Sequence, residues 1–351
     1  MKKTIIVIIF IIYCLSYPLL AVEVILKGEI ILREDITVLQ RPSSFAKTKD
    51  GFFVISDFQA GDLKIYTSSG DFLKTFGRKG QGPDEFLGPL KISYYHPRIG
   101  IVDVDRLIIS VIEIKNNWEL RTIHSFVCQG GVDTIVMSSD RITVAGYYVD
   151  KNGETWSVYQ YLVGTKEILP VFLTHEIFGF STNEDFQKNY INEIVPLGLK
   201  ILCEQHNEDV FGVWVSNLRI LKKNLKTGEV KTFGKKTPRY LQPLPTRELK
   251  RAMQERNPRK VQKEIDKYSR IMTIGINRGL FILIYRDPKA WKSIIQVYDF
   301  DGNFQGETEI PSPSESGMFY IPRDEGFIYE LTYDDTSPPG IYKIRYYKLN
   351  F

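Results

Sequence analysis

A turn that recurs along the chain is the feature that most constrains the fold. Runs of β-branched and aromatic residues are joined by short turns with Gly or Asn at the tip, which tolerate the positive φ of tight hairpins. The tips of five such turns are Gly70, Asn117, Gly164, Gly228 and Gly302. They are spaced by 47, 47, 64 and 74 residues. Because a propeller blade of four strands takes roughly 40–50 residues, the spacing predicts repeated four-stranded units.

Two insertions lengthen the later intervals. The segment Thr174–Asn192 is rich in polar residues, and Thr237–Arg270 has a helical pattern. Within the second, Thr246 and the pair Asn257-Pro258 are typical of helix starts and predict two short helices. Without these insertions, both long intervals return to the length of one blade.

The last group of strands is incomplete, and the N-terminus supplies the missing strand. Met318–Leu349 contains three predicted strands, whereas Val22–Leu32 is an isolated strand. Pairing the two completes a sixth blade and hides strand edges that would otherwise promote aggregation. The sequence therefore predicts an all-β fold, a six-bladed β-propeller with an N-terminal strand closing the last blade and a small helical insertion at about 237–270. Residues 22–351 are expected to form this single domain.

Residues 1–21 have the pattern of a secretory signal peptide. Lys2 and Lys3 precede an apolar run, and Ala21 offers a small residue for cleavage. The run is at the lower limit for an uncleaved anchor, and lipid attachment at Cys14 is a further alternative. All three alternatives place the bulk of the chain outside the cytoplasm. We expect an exported protein that is periplasmic, secreted or at the cell surface.

The net charge of the chain is small, at +4, and removal of residues 1–21 leaves 44 basic and 42 acidic residues. Such a balance gives no global attraction to nucleic acid, so no nucleic-acid partner is expected. The helical insertion is a local exception, with ten basic and four acidic residues from Arg239 to Arg270. A solvated helical pair is the ordinary interpretation, and weak contact with an anionic surface is the alternative.

The most specific local sequence is FGRKGQGPDEF, Phe76–Phe86. Its glycine spacing does not match a dinucleotide-binding fingerprint, and no predicted helix follows it. We expect it to return the chain from an outer strand to the propeller axis. Together with Gly51–Asp57, Leu63–Tyr66 and the turn Ser69–Phe72, it resembles the NHL-repeat propellers, particularly exported bacterial six-bladed proteins of unassigned function. The resemblance implies a structural role in connecting blades for Gly77, Gly80, Gly82, Pro83, Glu85 and Phe86.

Few residues offer catalytic or metal chemistry. Asp57, Asp103 and Asp105 follow predicted strands and are weak candidates for a metal site at the pore, although turn formation is the commoner role of such residues. Asp299–Asn303 mimics part of a calcium loop, but Ile310 stands where such a loop has Glu, so a hairpin turn is predicted. The four histidines are His96, His124, His175 and His206. None has the spacing of a zinc ligand set.

The remaining reactive or binding side chains have ordinary structural interpretations. Cys128 and Cys203 are expected to be isolated core thiols, with a disulfide as the alternative. The four tryptophans are Trp118, Trp156, Trp214 and Trp291. They are expected to pack between blades, and a sugar or peptide groove is the alternative.

These features favour a non-enzymatic extracytoplasmic binding or scaffold propeller for a protein, peptide or glycan partner. No catalytic residue, cofactor-binding residue or cofactor is predicted. The alternative function is that of a metal-dependent hydrolase or lyase with its site at the central pore.

Overall fold

The computed structural model describes residues 22–33, 38–128, 130–165, 167–190, 197, 199–312, 317–336 and 340–351. The predicted signal peptide, residues 1–21, lies outside the described residues. The described residues form six four-stranded antiparallel sheets and one short parallel pair of strands. We number the six sheets as blades 1–6 in chain order.

The strands have the following bounds. The N-terminal strand β1 is Glu23–Ile31. Blade 1 contains β2 (Pro42–Lys47), β3 (Phe53–Asp57), β4 (Asp62–Tyr66) and β5 (Phe72–Phe76). The parallel pair is β6 (Arg78–Lys79) and β7 (Glu85–Phe86). Blade 2 contains β8 (Pro89–Tyr95), β9 (Arg98–Asp103), β10 (Ile108–Ile114) and β11 (Leu120–Val127). Blade 3 contains β12 (Val132–Met137), β13 (Arg141–Val149), β14 (Thr155–Leu162) and β15 (Ile168–Leu173). Blade 4 contains β16 (Ile201–His206), β17 (Asp209–Trp214), β18 (Ile220–Asn224) and β19 (Val230–Phe233). Blade 5 contains β20 (Arg270–Asn277), β21 (Leu280–Asp287), β22 (Lys292–Tyr298) and β23 (Phe304–Glu309). Blade 6 contains β24 (Met318–Tyr320), β25 (Phe327–Asp334), β26 (Ile341–Asn350) and β1.

The first strands of the six blades surround the propeller axis. Going round the ring, β2 contacts β8, β8 contacts β12, β12 contacts β16, β16 contacts β20, β20 contacts β24, and β24 contacts β2. Side chains join neighbouring first strands: Ser93 Oγ accepts a hydrogen bond from Met137 N at 2.9 Å, and Asp133 Oδ2 accepts one from Ile201 N at 2.9 Å. The contacts return to their starting strand, so the prediction of six blades is confirmed.

Strand β1 closes the ring, as the sequence predicts. It pairs antiparallel with β26, with Val24 opposite Leu349. Leu32, which follows β1, is 1% exposed in an apolar cluster with Phe53 and other residues of blade 1. The N-terminal strand therefore completes blade 6 and also packs against blade 1.

The five predicted turn tips all lie between the third and fourth strands of their blades. Each has positive φ: Gly70 (88°), Asn117 (58°), Gly164 (92°), Gly228 (73°) and Gly302 (87°). Gly70 has a second constraint, because a Cβ there would lie 2.1 Å from the main-chain oxygen of Ile31. The Asp299–Asn303 segment is a hairpin turn, as predicted, in which Asp299 Oδ1 accepts hydrogen bonds from Asp301 N and Asn303 N.

Both insertions contain short helices. Those of the first are α1 (Thr174–Phe178) and α2 (Asn183–Asn189), and those of the second are α3 (Arg247–Gln254) and α4 (Pro258–Ile265). The predicted caps are present, since Thr246 Oγ1 accepts a hydrogen bond from Leu249 N and Asn257 Oδ1 accepts one from Lys260 N. Leu249 is fully buried in a core cluster of blades 3–5, so the second insertion docks on the propeller.

The core lies between adjacent blades, where aromatic side chains interlock. Phe211 of β17 stacks on Phe281 of β21 with ring centroids 4.8 Å apart. Cys128 and Cys203 are buried free thiols, as expected. Burial raises the pKa of the Cys128 thiol to about 12. None of the described helices is long and apolar enough to cross a membrane.

Candidate binding site in the central channel

A cavity of about 980 Å³ occupies the axis of the propeller. The first strands of all six blades contribute lining residues, including Phe45, Ser93, Thr134, Leu202, Thr273 and Phe319. The lining includes consecutive residues of single strands, such as Thr134, Ile135 and Val136 of β12, so the first strands present their edges to this space. We call the cavity the central channel.

The walls of the channel combine apolar, aromatic and charged side chains. Its charged lining residues are Lys47, Lys49, Lys91, Lys200, Arg270, Arg323, Glu204, Asp324 and Glu325. Six of these nine are basic, although the whole chain is nearly neutral. The channel therefore concentrates positive charge that the composition alone does not reveal.

Three of the basic residues lie where first strands begin. Lys91 is the third residue of β8, Lys200 immediately precedes β16, and Arg270 is the first residue of β20. Desolvation by the surrounding walls and repulsion from Lys200 lower the pKa of Lys91 to about 8. Desolvation also lowers the pKa of Lys200, even though this side chain remains accessible to solvent in the channel. We call these three residues the basic cluster.

Asp133, the second residue of β12, is a carboxylate whose charge acts on both lysines of the basic cluster. Its Oδ2 is already engaged by Ile201 N, and burial raises its pKa. The cluster therefore has an excess of positive charge at this end of the channel.

Where the first strands end, two of the lining cations pair directly with carboxylates. Lys47 Nζ lies 2.7 Å from Glu325 Oε1, and Tyr329 OH donates to Glu325 Oε2 at 2.9 Å. Arg323 Nη2 lies 3.4 Å from Glu204 Oε1, although desolvation raises the pKa of this glutamate. This end of the channel is held together by ion pairs between blades 6 and 1 and between blades 6 and 4.

The predicted pore candidates Asp57, Asp103 and Asp105 do not belong to the channel lining. Asp57 ends β3, and its carboxylate accepts hydrogen bonds from Gln40 N at 2.7 Å and Arg41 N at 3.0 Å. Both donors immediately precede β2. The placement at the pore is thus corrected for Asp57, because its carboxylate anchors the chain that enters the first strand of its own blade.

Asp103 has the equivalent role in blade 2. It ends β9 and accepts hydrogen bonds from Leu87 N at 2.9 Å and Gly88 N at 3.0 Å, just before β8. Asp105 lies against Gly88, where a Cβ would be 2.7 Å from its Oδ2. It also lines a small surface pocket with Arg41 and Phe58. The carboxylates of Asp103 and Asp105 therefore also lie outside the channel.

Glu85 stabilises the Gly-rich loop Gly77–Phe86 that follows blade 1. Glu85 Oε2 accepts a hydrogen bond from Gly82 N at 2.7 Å, and Arg78 Nε lies 2.6 Å from Glu85 Oε1. The hydrogen bond from Gly82 N, and to a lesser extent that from Arg78, lowers the pKa of Glu85. A Cβ at Gly80 would lie 2.2 Å from the same carboxylate, and one at Gly77 would lie 2.6 Å from the ring of buried Phe86. The turn between the parallel strands also contains Pro83.

Other sequence candidates are dispersed. In the described part of the chain, no group of three or more His, Cys, Asp and Glu side chains could hold a metal ion. His96 lines the channel and contacts Tyr94 OH at 3.0 Å, whereas the described channel lining includes no tryptophan. Trp214 is buried against Phe178, with ring centroids 4.8 Å apart, but Trp291 is 43% exposed.

No local sequence pattern marks the basic cluster. Its members are far apart in the sequence, and each is an ordinary isolated cation in its local context. A usable signal exists in the repeat: blades 2, 3, 4 and 5 all have a charged residue among the first three residues of the first strand or directly before it. Alignment of the blades would have placed these residues at one end of the channel.

The fold and the channel define a six-bladed β-propeller with an open, basic axial cavity. No protein-family model and no curated protein matches the sequence. Among solved structures, a member of the DUF4221 family from Bacteroides vulgatus is similar over 95% of this chain and 99% of its own, with 11% identity and a TM-score of 0.67. A protein from Bacteroides fragilis designated as exported is similar over 94% of this chain and 96% of its own, with 11% identity and a TM-score of 0.59.

A virginiamycin B lyase from Staphylococcus aureus also aligns, over 94% of this chain and 99% of its own, with 10% identity and a TM-score of 0.49. That similarity is too distant to carry an argument about activity. At these identities the similar structures establish the propeller fold alone.

Proposed function

We propose that this chain is an exported, non-enzymatic binding propeller that holds part of a protein, peptide or glycan partner in its central channel. The size and construction of the channel carry the proposal. Ligand sites usually have volumes of about 300–1,000 Å³ and combine apolar walls with a few polar groups. The central channel, at about 980 Å³, has this size and this mixture of side chains.

The sheets of the propeller hold the channel walls in place. Its walls are strands of six sheets, and strands hold side chains more rigidly than loops do. Hydrogen bonds between first strands, such as that from Met137 N to Ser93 Oγ, fix neighbouring blades relative to each other. A ligand would therefore meet a largely pre-formed site, which reduces the entropy lost on binding.

Export is the second part of the proposal. It is supported by the signal-like residues 1–21 and by the similar Bacteroides fragilis structure designated as exported. The similarity to NHL-repeat propellers is also part of the proposal. The loop Gly77–Phe86 supports it, because its glycines lie where a side chain would collide with Glu85 or Phe86.

Glycan and peptide arrays probed with the purified protein test the binding function. Thr273 lines the channel, so Thr273→Trp should fill part of it and abolish binding. Thr75→Trp is the matched control, because Thr75 is exposed on the outer strand β5 of blade 1. We expect wild type and the control to bind the same array members. Absence of binding to both arrays, or equal binding by Thr273→Trp, would overturn the proposal.

The enzymatic alternative predicts a different fate for the ligand. Mass spectrometry of a bound array member, after incubation with the protein and calcium or zinc, should recover it intact. A cleaved product that is absent with Thr273→Trp would replace the binding function by that of a hydrolase or lyase at the pore.

A further inference from the structure

The basic cluster has a position that structural cations rarely occupy. Lys91, Lys200 and Arg270 come from blades 2, 4 and 5, yet all line one cavity. Among the described residues, no ion pair within 4.0 Å joins any of them to a carboxylate. Arginine and lysine in a partly desolvated site are normally paired, because an unpaired buried charge is destabilising.

Among the described residues, the neighbouring carboxylates make no direct ion pair with the cluster. Asp133 acts on both lysines at longer range while its Oδ2 accepts from Ile201 N, and Asp266 acts on Arg270. The opposite end of the channel shows that this fold can pair its cations directly, as Lys47 does with Glu325. The excess charge is therefore a local property of the end where first strands begin.

We infer that the basic cluster is a binding site for an oxyanion, a carboxylate, phosphate or sulfate group carried by the ligand of the channel. The inference deepens the proposed binding function and rests on it. Arg270 offers a planar fork that can donate two parallel hydrogen bonds to an oxyanion, and the two lysines supply further charged donors. The surrounding walls partly desolvate Lys91, which strengthens its interaction with an anion relative to bulk solvent.

The protonation of the cluster fits this role. The pKa of Lys91 is lowered to about 8 because desolvation and the charge of Lys200 outweigh the attraction of Asp133 in the free protein. A bound anion supplies a compensating charge and raises the pKa of both lysines. Binding should therefore be strongest below pH 8 and weaken as Lys91 loses its proton above that value.

Calorimetric titration and thermal-shift measurements at pH 7 and constant ionic strength test the site. The probes are inorganic phosphate, sulfate, D-galacturonate and, as a neutral match for the last, D-galactose. We expect at least one anion to bind and raise the melting temperature, whereas galactose does neither. Galacturonate alone would identify a carboxylate ligand, and phosphate or sulfate alone the corresponding ester group. Absence of binding by all three anions would overturn the inference.

Two charge-removing variants locate the site. Lys91→Met and Lys200→Met keep the length of the side chain, and each should weaken anion binding by about tenfold or more, since one charge-assisted hydrogen bond is lost. Lys263→Met on the exposed face of α4 is the matched control and should bind as wild type does. Unchanged affinity in both channel variants would show that the anion binds elsewhere.

The two proposals fail separately. If array ligands bind in a manner that Thr273→Trp abolishes while no anion binds, the oxyanion site is wrong and the binding function remains. If anions bind through Lys91 but neither array is bound, the oxyanion site remains and the partner class in the proposed function is wrong.

Discussion

The substitution Lys91→Met should stabilise the protein when no anion is present. The pKa of this lysine falls from 10.5 to about 8, because burial and Lys200 disfavour its charged form. At about 1.36 kcal/mol per pKa unit, this shift corresponds to about 3 kcal/mol of unfavourable free energy at neutral pH. Water in the channel screens part of the effect, so a gain of about 1–3 kcal/mol is expected.

The pH dependence has a defined sign. The folded-state pKa of Lys91 lies below the unfolded one, so this side chain binds more protons in the unfolded chain between pH 8 and about 10.5, and its destabilising contribution shrinks as the pH rises across this window. The destabilisation by Lys91 is complete below pH 8 and is lost above about pH 10.5. The advantage of Lys91→Met should therefore be greatest near pH 7 and shrink as the pH rises above 8.

Thermal unfolding in buffers without oxyanions measures both effects. A chain of this length changes its melting temperature by roughly 1–2 °C per kcal/mol, so a rise of about 1–6 °C is expected at pH 7. Lys263→Met should leave the melting temperature unchanged. A lower melting temperature for Lys91→Met, or a gain that is the same at pH 7 and pH 9.5, would refute the reasoning that Lys91 is an uncompensated cation.

Three further predictions concern the framework. In denaturant titrations, Gly70→Ala should destabilise the protein by about 3 kcal/mol or more, because a Cβ would add a clash with the main chain to the strain of positive φ. Gly228 has open space around it, so Gly228→Ala should destabilise by only about 1 kcal/mol. Equal losses of stability in the two variants would contradict this prediction. Leu32 is buried, so Leu32→Ala should lower the free energy of unfolding by about 2–4 kcal/mol. Ile31 is 52% exposed, so Ile31→Ala should lower it by less than about 0.5 kcal/mol. A larger loss for Ile31→Ala would show that ring closure does not depend on Leu32. Burial raises the pKa of Cys203, so this thiol should react with Ellman's reagent only after unfolding, and rapid reaction in the native state would contradict its burial.

The architecture could be predicted because its signals are local. A tip such as Gly70 or Gly302 needs positive φ, and glycine is the residue that accepts it, so five tips show the repeat directly. The closing strand could be predicted for a related reason. Val22–Leu32 reads as a strand without a sequence neighbour, and a closed ring leaves blade 6 as the place where it can pair.

The channel could not be predicted in the same way, because its composition depends on side chains brought together from separate blades. Lys91 and Arg270 line the same cavity only when the ring closes. Asp57 and Asp103 show the opposite error. Their position at strand ends makes them weak candidates for the pore, but main-chain N–H groups at the beginning of blades 1 and 2 donate hydrogen bonds to their carboxylates.

Anomalous diffraction from crystals soaked in selenate tests most directly whether the central channel is an anion-binding site. Selenate has the shape and charge of sulfate, and selenium can be located at its absorption edge. We expect a selenium peak in the channel, with oxygens within roughly 3 Å of the side-chain nitrogens of Lys91 and Arg270. The peak should be absent in Lys91→Met crystals soaked in the same way. Selenium found only on the outer surface of a wild-type protein that binds sulfate or phosphate in solution would show that the channel is not the anion site.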